Sequence, residues 1–324
     1  MDFTRFIKEK TVLGGQADNE DDFFHISLGI TKDYAVQAGV VINSILDNNP
    51  KVCFMFHIFC DDIKEIDIQR FKILSEKYIE LTVVLYYVNA DEFKYIKTSQ
   101  RYSQAAFYRI ISAALLYPQI KKILYLDSDL MCLNSFKKLR DLDINSICMA
   151  VQDSGSWIEE HKCEIGLPRE HVYFNSGVIY MNLEKWNEAN VSEKAMKLLA
   201  ENEFSFCDQD ALNISIGSRY QMLSERYNHF YMNGKHQEVP LPKDTVFLHF
   251  AGDIKPWQPW CQNKLKALWE KALENSPWRG YVYIPRNYQE NRLMGKVLRK
   301  QGRYVEALSW YCRYVLDKIK TKMK

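Results

Sequence analysis

The sequence predicts an α/β fold in which a largely parallel sheet carries helices on its faces. Apolar segments of strand length alternate with segments whose apolar residues recur at helical spacing. Because parallel neighbours need a crossover connection, this alternation predicts βαβ units. The 324 residues and the hydrophobic fraction of 47% favour one large domain with an appendage over two equal domains.

The predicted elements follow one another along the chain. In the first half they are strand 25–30, helix 34–46, strand 52–60, helix 66–78, strand 81–88, helix 109–116 and strand 123–126. Further along they are strands 146–151 and 177–182, helix 192–202, strand 245–250, and helical segments from residue 265 onward. Asn48-Asn49-Pro50 and Pro118 support the predicted ends of the helices that precede them.

Three regions follow from this pattern. Residues 1–24 form an N-terminal extension, 25–275 the main domain and 276–324 a helical, basic C-terminal extension. The boundary is placed at Ser276-Pro277, where a segment rich in Gly and Pro begins.

Composition restricts the class of protein. The net charge of +2, from 43 basic and 41 acidic residues, gives no support for nucleic-acid binding. The eight cysteines include no Cys-x-x-Cys pair, which favours a reducing compartment. The N-terminus lacks a signal-like apolar stretch, and no apolar run reaches the ~20 residues of a spanning helix. We therefore expect a cytoplasmic protein that does not cross the membrane.

Two aspartates directly follow the apolar strand 123–126. Asp127 and Asp129 are two residues apart, so an extended backbone points both side chains the same way. The carboxyl ends of strands face the ligand crevice of open α/β sheets, and paired carboxylates suit Mg²⁺ or Mn²⁺ with diphosphate oxygens. Asp-x-Asp also occurs at 141–143 and 208–210, so the position after a buried strand is what gives this pair its weight.

His249 lies at the end of the last predicted strand. Such a histidine is often a hydrogen-bonded core residue, but here Gly252 permits close backbone approach and Lys255 supplies a cation. An imidazole for a metal and an ammonium for a phosphate form a coherent pair. A nitrogen ligand among oxygens favours Mn²⁺ over Mg²⁺.

Two further motifs carry polar side chains that could contact a sugar. Asn175, in Phe-Asn-Ser-Gly before an apolar strand, offers both a donor and an acceptor, or is simply a turn residue. Asp208, in Asp-Gln-Asp before the helical stretch 211–216, is either a functional carboxylate or a helix N-cap.

Taken together, these motifs resemble glycosyltransferase family 8 in order and spacing. The segments that carry the resemblance are 124–129, 174–178, 208–210 and 249–257. The chain is most similar to the lipopolysaccharide core glucosyl- and galactosyltransferases of that family, and residues 278–314 resemble their C-terminal extension. The resemblance covers nearly the whole chain from His25 onward and implies a GT-A type, Rossmann-like nucleotide-sugar-binding domain.

The resemblance also implies a UDP-hexose donor, Mn²⁺ or Mg²⁺, a lipopolysaccharide core acceptor and transfer with retention of configuration. The implied metal ligands are Asp127, Asp129 and His249. The implied donor-binding residues are Thr31, Asp33, Tyr34, Arg109, Asp127, Ser128, Asn175, Asp208, Gln209, Gly252 and Lys255, with Tyr34 on uracil and the last two at the diphosphate. At Thr31-Lys32 the chain departs from the acidic or amide residue that is usual in the family.

Retention allows two routes, and the sequence offers candidates for both. A double displacement needs a protein nucleophile, for which Gln209 and Asp210 are the catalytic candidates. Because an amide is a poor nucleophile, we favour same-face attack assisted by the departing phosphate.

Two alternatives remain at this point. One is a haloacid-dehalogenase-like phosphotransferase, which shares an apolar strand followed by Asp-x-Asp but expects Thr or Val where Met131 stands. The other is a non-catalytic sugar-nucleotide-binding protein.

The C-terminal extension combines cations with aromatic and apolar residues. The apolar residues Leu308, Cys312, Val315 and Ile319 recur at helical spacing, and the cations are Lys296, Arg299, Lys300, Arg303, Arg313, Lys318, Lys320, Lys322 and Lys324. Such a basic amphipathic helix is typical of binding to anionic lipid headgroups, which predicts a peripheral protein on the cytoplasmic face of the inner membrane. The alternative is a helix packed on the main domain with a solvated basic face.

Overall fold

A computed structural model describes residues 1–15, 23–96, 103–153, 155–231 and 240–322. The chain divides into a first unit, Met1–Phe230 with Leu241–His249, and a second unit, Tyr231–Pro240 with Phe250–Lys324. Among the described residues, none of the helices combines the length and the apolar character that a membrane span requires. All eight cysteines are free thiols.

The strands of the described residues all belong to the first unit. They are β1 (Ile7–Gly14), β2 (Phe24–Ile30), β3 (Phe54–Cys60), β4 (Leu81–Val88), β5 (Lys122–Leu126), β6 (Leu130–Cys132), β7 (Cys148–Gln152), β8 (Phe174–Asn182), β9 (Tyr220–Met222), β10 (His229–Phe230) and β11 (Phe247–His249). Eight of them form one sheet in the order β1-β4-β3-β2-β5-β8-β7-β9, and β10-β11-β6 form a small second sheet.

The helices of the first unit connect and cover these strands. They are α1 (Ala35–Asn48), α2 (Glu65–Lys77), α3 (Tyr108–Leu116), α4 (Ile158–Glu164), α5 (Leu183–Glu188), α6 (Val191–Glu201) and α7 (Cys207–Ile216). The buried side chains of α3, α5, α6 and α7 form one apolar cluster with residues of β5, β7 and β8. This cluster holds the ends of the central strands in a fixed arrangement.

The predicted parallel βαβ arrangement is confirmed for the centre of the sheet, where β4, β3, β2 and β5 run parallel. The complete sheet is mixed, because β8 pairs antiparallel with both β5 and β7. The N-terminal extension, for which the apolar pattern predicts no element, supplies β1 as an antiparallel edge strand beside β4. Most of its side chains are solvent-exposed, so β1 lacks the alternation by which strands are recognised.

The second unit is helical, with α8 (Lys266–Glu274), α9 (Tyr288–Lys300) and α10 (Tyr304–Lys322). The predicted basic tail is thus two helices, separated at Gly302, whose φ of +78° lies in the left-handed region. The two helices pack on each other where Gly295 faces Tyr311, and Asn291 Nδ2 donates to Asp317 Oδ2 at 3.0 Å. A Cβ at position 295 would lie 2.9 Å from the Tyr311 ring.

Candidate active site

The two aspartates after β5 lie beside the start of β8. The antiparallel pairing of β5 with β8 continues past the strand end, where the Asp127 amide donates to the Gly177 carbonyl at 2.8 Å. The residues that precede and open β8 are therefore brought to the carboxyl end of β5. That edge of the sheet is where ligands bind in open α/β folds.

His249 reaches the same place through the small sheet. β11 pairs antiparallel with β6, and His249 is opposite Leu130, the residue after Asp129. The imidazole Nε2 lies 3.2 Å from Asp129 Oδ1. One ligand atom each from Asp127, Asp129 and His249 lie within 4.8 Å of one another. Two carboxylates and an imidazole are a donor set that suits Mn²⁺ or Mg²⁺.

Gly177 provides the space in which these side chains converge. A Cβ at this position would lie 2.6 Å from His249 Cε1, 2.8 Å from Asp127 Oδ2 and 3.0 Å from Asn175 Oδ1. Any larger residue would displace the carboxylate and the imidazole. The lack of space beside these side chains thus explains why the Phe-Asn-Ser-Gly motif ends in glycine.

Arg109 of α3 joins two of the predicted carboxylates from a buried position. Its Nη2 donates to Asp127 Oδ1 at 2.8 Å, and its Nε lies 3.0 Å from Asp208 Oδ2. Burial lowers the pKa of Arg109, but Asp127 and Asp208 raise it by more, so the pKa lies above its ordinary value and the guanidinium keeps its charge. The same Asp127 oxygen accepts from the Tyr125 hydroxyl at 3.0 Å.

Asp208 lies in the first turn of α7, whose N-cap is Phe206, so the N-cap interpretation is wrong. Its carboxylate is buried, and Ser176 Oγ also donates to it, at 3.2 Å. Burial and the charge of Asp127 raise the pKa of Asp208 to about 6, while Arg109 opposes the shift. The helix start thus carries an acidic group whose charge depends on its buried partners.

Asn175 and Gln209 form an amide pair at the start of β8. Asn175 Nδ2 donates to Gln209 Oε1 at 3.0 Å, and the Ser176 amide donates to the same oxygen at 3.0 Å. Gln209 Nε2 in turn donates to Asp153 Oδ2 at 3.1 Å. The predicted sugar-binding residues therefore lie side by side, in orientations fixed by backbone donors.

Asp210 is 0% exposed, and its contacts are with protein groups. Its Oδ1 lies 2.7 Å from His161 Nε2 and accepts from the Tyr173 hydroxyl, and its Oδ2 accepts from the Phe206 amide at 2.9 Å. Every oxygen of this carboxylate has a protein partner.

Two residues of this region were missed by sequence reasoning. Asp153 directly follows β7, and its Oδ2 accepts from both Asn175 and Gln209. A carboxylate after a predicted strand was a signal that could have identified it. Asn228, which hydrogen-bonds to both His249 and Asn175, precedes the two-residue strand β10 and carries no such signal.

The remaining predicted residues lie in three places. Thr31, Asp33 and Tyr34 follow β2, where the Tyr34 amide donates to the Thr31 carbonyl at 2.9 Å, and Ser128 lies between the two aspartates. Gly252 and Lys255 belong to the second unit. There Gly252 has a φ of +97°, and Lys255 Nζ donates to the Phe250 carbonyl at 2.9 Å.

Known proteins with similar sequences align with most or nearly all of the chain. Lipopolysaccharide 1,3-galactosyltransferase of Salmonella typhimurium is 28% identical over 331 residues, which cover 98% of each protein. Lipopolysaccharide 1,2-glucosyltransferase of Escherichia coli strain K12 is 29% identical over 273 residues, which cover 81% of this chain and 80% of that protein.

Solved structures of the galactosyltransferase LgtC share the fold. A complex of LgtC with donor and acceptor sugar analogs superposes with a TM-score of 0.64 at 20% identity, covering 82% of this chain and 99% of that chain. An active-site mutant of LgtC gives a TM-score of 0.67 at 19% identity with the same coverage. The predicted GT-A fold class is thereby confirmed.

Residues 25–261 match the sequence profile of glycosyl transferase family 8, and residues 266–318 match that of the C-terminal region of this family. The match includes the His249 segment, which the haloacid-dehalogenase interpretation leaves unexplained. Because these matches cover most of its length, the chain belongs to glycosyltransferase family 8.

Proposed function

We propose that this protein transfers glucose or galactose from a UDP-sugar to a lipopolysaccharide core oligosaccharide, with retention of configuration and with bound Mn²⁺ or Mg²⁺. The observation that carries the proposal is the convergence of Asp127, Asp129 and His249 beside the polar cluster around Asn175 and Gln209. The names of both relatives described above support the lipopolysaccharide acceptor.

The ligand types of the cluster support a dication. Asp127 and Asp208 share the buried guanidinium of Arg109. A dication held by Asp127, Asp129 and His249 would stabilise the charge that develops on the leaving diphosphate. Arg109 would keep Asp127 oriented for this purpose through its 2.8 Å hydrogen bond.

The remaining donor contacts are proposed from the family motifs. Gly252 and Lys255 would bind the diphosphate, Tyr34 would stack on uracil, and Thr31 and Asp33 would contact the uridine. Asn175, Asp208 and Gln209 would line the hexose, and Arg109 and Ser128 would complete the donor site. The positive φ of Gly252 fits a close backbone approach to phosphate oxygens.

For the retaining step we propose same-face transfer. Gln209 Oε1 already accepts from Asn175 Nδ2 and from the Ser176 amide, so neither lone pair is directed at a substrate. Asp210 is fully buried, with protein partners for both oxygens. Asp210 therefore acts as a positioning residue for the start of α7, and the departing phosphate takes the acceptor proton.

The test is UDP release from UDP-glucose and UDP-galactose with lipopolysaccharide core acceptor, with and without Mn²⁺. Turnover of one donor that requires metal and is lost in Asp129→Ala would support the proposal and identify the sugar. Asp141→Ala is the matched control, because it alters another Asp-x-Asp pair and should leave turnover unchanged. Tight UDP-sugar binding without turnover would instead support a non-catalytic binding protein.

We also propose that α10 attaches the protein to the cytoplasmic face of the inner membrane. On this helix Val305 is 85% and Leu308 64% exposed, and Val315, Leu316 and Ile319 are exposed as well. At 100° per residue these side chains, with exposed Cys312, fall within an arc of roughly 100°. On the opposite side Ala307 is buried, and its described neighbours there are half-buried.

Cations lie next to this apolar stripe. Arg313 and Lys320 fall about 40–60° beyond one edge of the stripe on the same helical projection. An exposed apolar stripe bordered by cations is the pattern of an interfacial helix and argues against the alternative in which the apolar residues are packed inside the protein.

Co-sedimentation with vesicles of phosphatidylethanolamine containing phosphatidylglycerol would test the attachment. Leu308→Glu with Ile319→Glu should abolish binding, and Arg313→Gln with Lys320→Gln should weaken binding most at low salt. Ile79→Glu is the matched control, because Ile79 is a 90% exposed apolar residue of the first unit. Unchanged sedimentation of the Leu308/Ile319 variant would refute the attachment.

A further inference from the structure

A buried amide connects the histidine of the candidate metal site to the candidate sugar site. Asn228 is 1% exposed and lies between His249 and Asn175. The distance from His249 Nδ1 to Asn228 Oδ1 is 2.9 Å, and that from Asn228 Nδ2 to Asn175 Oδ1 is also 2.9 Å. Asn228 belongs to none of the four segments that carry the family motifs.

The hydrogen bonds fix which atom of each amide is the oxygen. The Gly177 backbone amide, which can only donate, lies 2.9 Å from one terminal atom of Asn175, so that atom is Oδ1. The other terminal atom lies 3.2 Å from Asp153 Oδ2, an acceptor, as expected for Nδ2. The orientation of Asn175 is therefore determined by its neighbours.

The orientation of Asn228 follows from that of Asn175. The atom of Asn228 that faces Asn175 Oδ1 must donate, so it is Nδ2. The Asn228 oxygen then faces His249 Nδ1, which must carry the proton. A neutral imidazole with its proton on Nδ1 has its lone pair on Nε2, the atom that lies 3.2 Å from Asp129 Oδ1.

We propose that Asn228 is a positioning residue that holds His249 in the tautomer and orientation required of a metal ligand, and that couples this ligand to Asn175. The inference rests on the proposed function, because it assumes that His249 binds the metal of a sugar transferase. Partners of this kind behind a ligating histidine typically change metal affinity or activity by about 10–100-fold when removed. The proton on Nδ1 is thus set by a chain of contacts that starts at the Gly177 backbone.

Two variants at Asn228 separate its two contacts. Asn228→Ala removes the acceptor for His249 and the donor for Asn175 together. Asn228→Asp keeps an acceptor for His249 Nδ1 but loses the donor to Asn175 Oδ1. Asn49→Ala is the stability control, because Asn49 is also a buried amide whose two terminal atoms are both hydrogen-bonded. Its Nδ2 donates to the Ile45 carbonyl, and its Oδ1 accepts from the Phe136 amide.

The measurement is MnCl₂ binding to the complete chain. The EPR signal of free Mn²⁺ gives the affinity, and electron spin echo modulation from ¹⁴N reports imidazole ligation. We expect Asn228→Ala to weaken Mn²⁺ binding about 10–100-fold and to diminish the ¹⁴N modulation. Asn228→Asp should retain both near the wild-type level but lower kcat/KM for the UDP-sugar. Asn49→Ala should match wild type in metal binding, whatever its stability.

Wild-type Mn²⁺ affinity and ¹⁴N modulation in a folded Asn228→Ala variant would overturn the inference. So would equal losses of Mn²⁺ affinity in the Ala and Asp variants, because the acceptor for His249 would then be irrelevant. Wild-type protein that binds Mn²⁺ with ¹⁴N modulation but releases no UDP would contradict the proposed transfer alone. Wild-type protein that binds no Mn²⁺ would contradict both.

Discussion

Gly177→Ala should damage the candidate metal site while leaving the strand around it intact. The new Cβ would lie 2.6 Å from His249 Cε1 and 2.8 Å from Asp127 Oδ2, whereas ordinary van der Waals contact begins at 3.4 Å. The φ of Gly177 lies outside the left-handed region, so the backbone itself accepts alanine. The whole effect of the substitution therefore arises from the side chains that converge on this position.

The magnitude follows from the overlap. Relief of the contact requires the imidazole to move by about 0.8 Å and the carboxylate by about 0.6 Å. His249 cannot shift so far without straining its 2.9 Å hydrogen bond to Asn228. A displacement of about 1 Å in a catalytic constellation costs on the order of 100-fold in rate, and the overlap should cost about 1–3 kcal/mol of unfolding free energy.

The assay combines MnCl₂ titration by EPR, UDP release and urea unfolding. We expect a 10–100-fold weaker Mn²⁺ affinity, of the order seen when a ligating histidine loses its support. Gly29→Ala, in β2, is the matched control: its Cβ would lie 2.6 Å from the Ala105 carbonyl oxygen, and none of its three nearest neighbours is a ligand atom. Gly29→Ala should therefore lose stability but keep Mn²⁺ affinity.

A Gly177→Ala protein that binds Mn²⁺ within about threefold of wild type would refute the reasoning, because ligand displacement should weaken the affinity by at least tenfold. Equal loss of affinity in Gly29→Ala would also refute it. In that case general overpacking of the sheet, rather than contact with His249 and Asp127, would be responsible.

Three further predictions address buried groups. Arg109→Lys should lower the free energy of unfolding by about 1.5–3 kcal/mol in urea titrations, because an ammonium cannot bridge Asp127 and Asp208 as the guanidinium does. Asp210→Asn should cost about 1–3 kcal/mol but lower kcat by less than tenfold, because this buried carboxylate positions α7. Burial is the main cause that holds the pKa of His57 well below 6.5, and the charges of His25 and Lys10 lower it further. As the pH falls below 6.5, wild type should therefore lose about 1.4 kcal/mol of stability per pH unit, a loss that His57→Gln should avoid.

The outcomes that contradict these predictions differ in kind. Full stability and activity of Arg109→Lys would show that the bridge between the carboxylates is unnecessary. A fall of roughly 1000-fold in kcat for a stable Asp210→Asn variant would indicate that Asp210 is a nucleophile and would favour double displacement. The contribution of neutral, buried His57 to stability is present above pH 6.5 and is lost as the pH falls, because the unfolded ring takes up a proton that the buried ring excludes. Parallel plots of unfolding free energy against pH for wild type and His57→Gln would refute this.

Local sequence patterns were sufficient for most of the elements. The order of strands and helices through β5 could be predicted because apolar periodicity is a property of neighbouring residues. The chemical groups of the site could also be named, since Asp127 and Asp129 directly follow a buried strand. Edge strand β1 and the short strands β10 and β11 were harder to identify or delimit, because few of their side chains alternate between core and solvent.

The direction and partners of the strands were decided only by the tertiary structure. The antiparallel course of β8 brings Gly177 beside Asp127, and the pairing of β11 with β6 brings His249 beside Asp129. Backbone hydrogen bonds between distant segments determine both arrangements, and such bonds leave no trace in side-chain periodicity.

The contacts of a single side chain, Asn228, were likewise decided only by the tertiary structure. Its sequence context is that of an ordinary polar residue before a two-residue strand. Its contacts with His249 and Asn175 exist only because three separate segments meet at one point. The sequence by itself therefore determined the family, the order of the main elements and the ligand types, whereas the proton position on His249 depends on hydrogen bonds that only the folded chain can form.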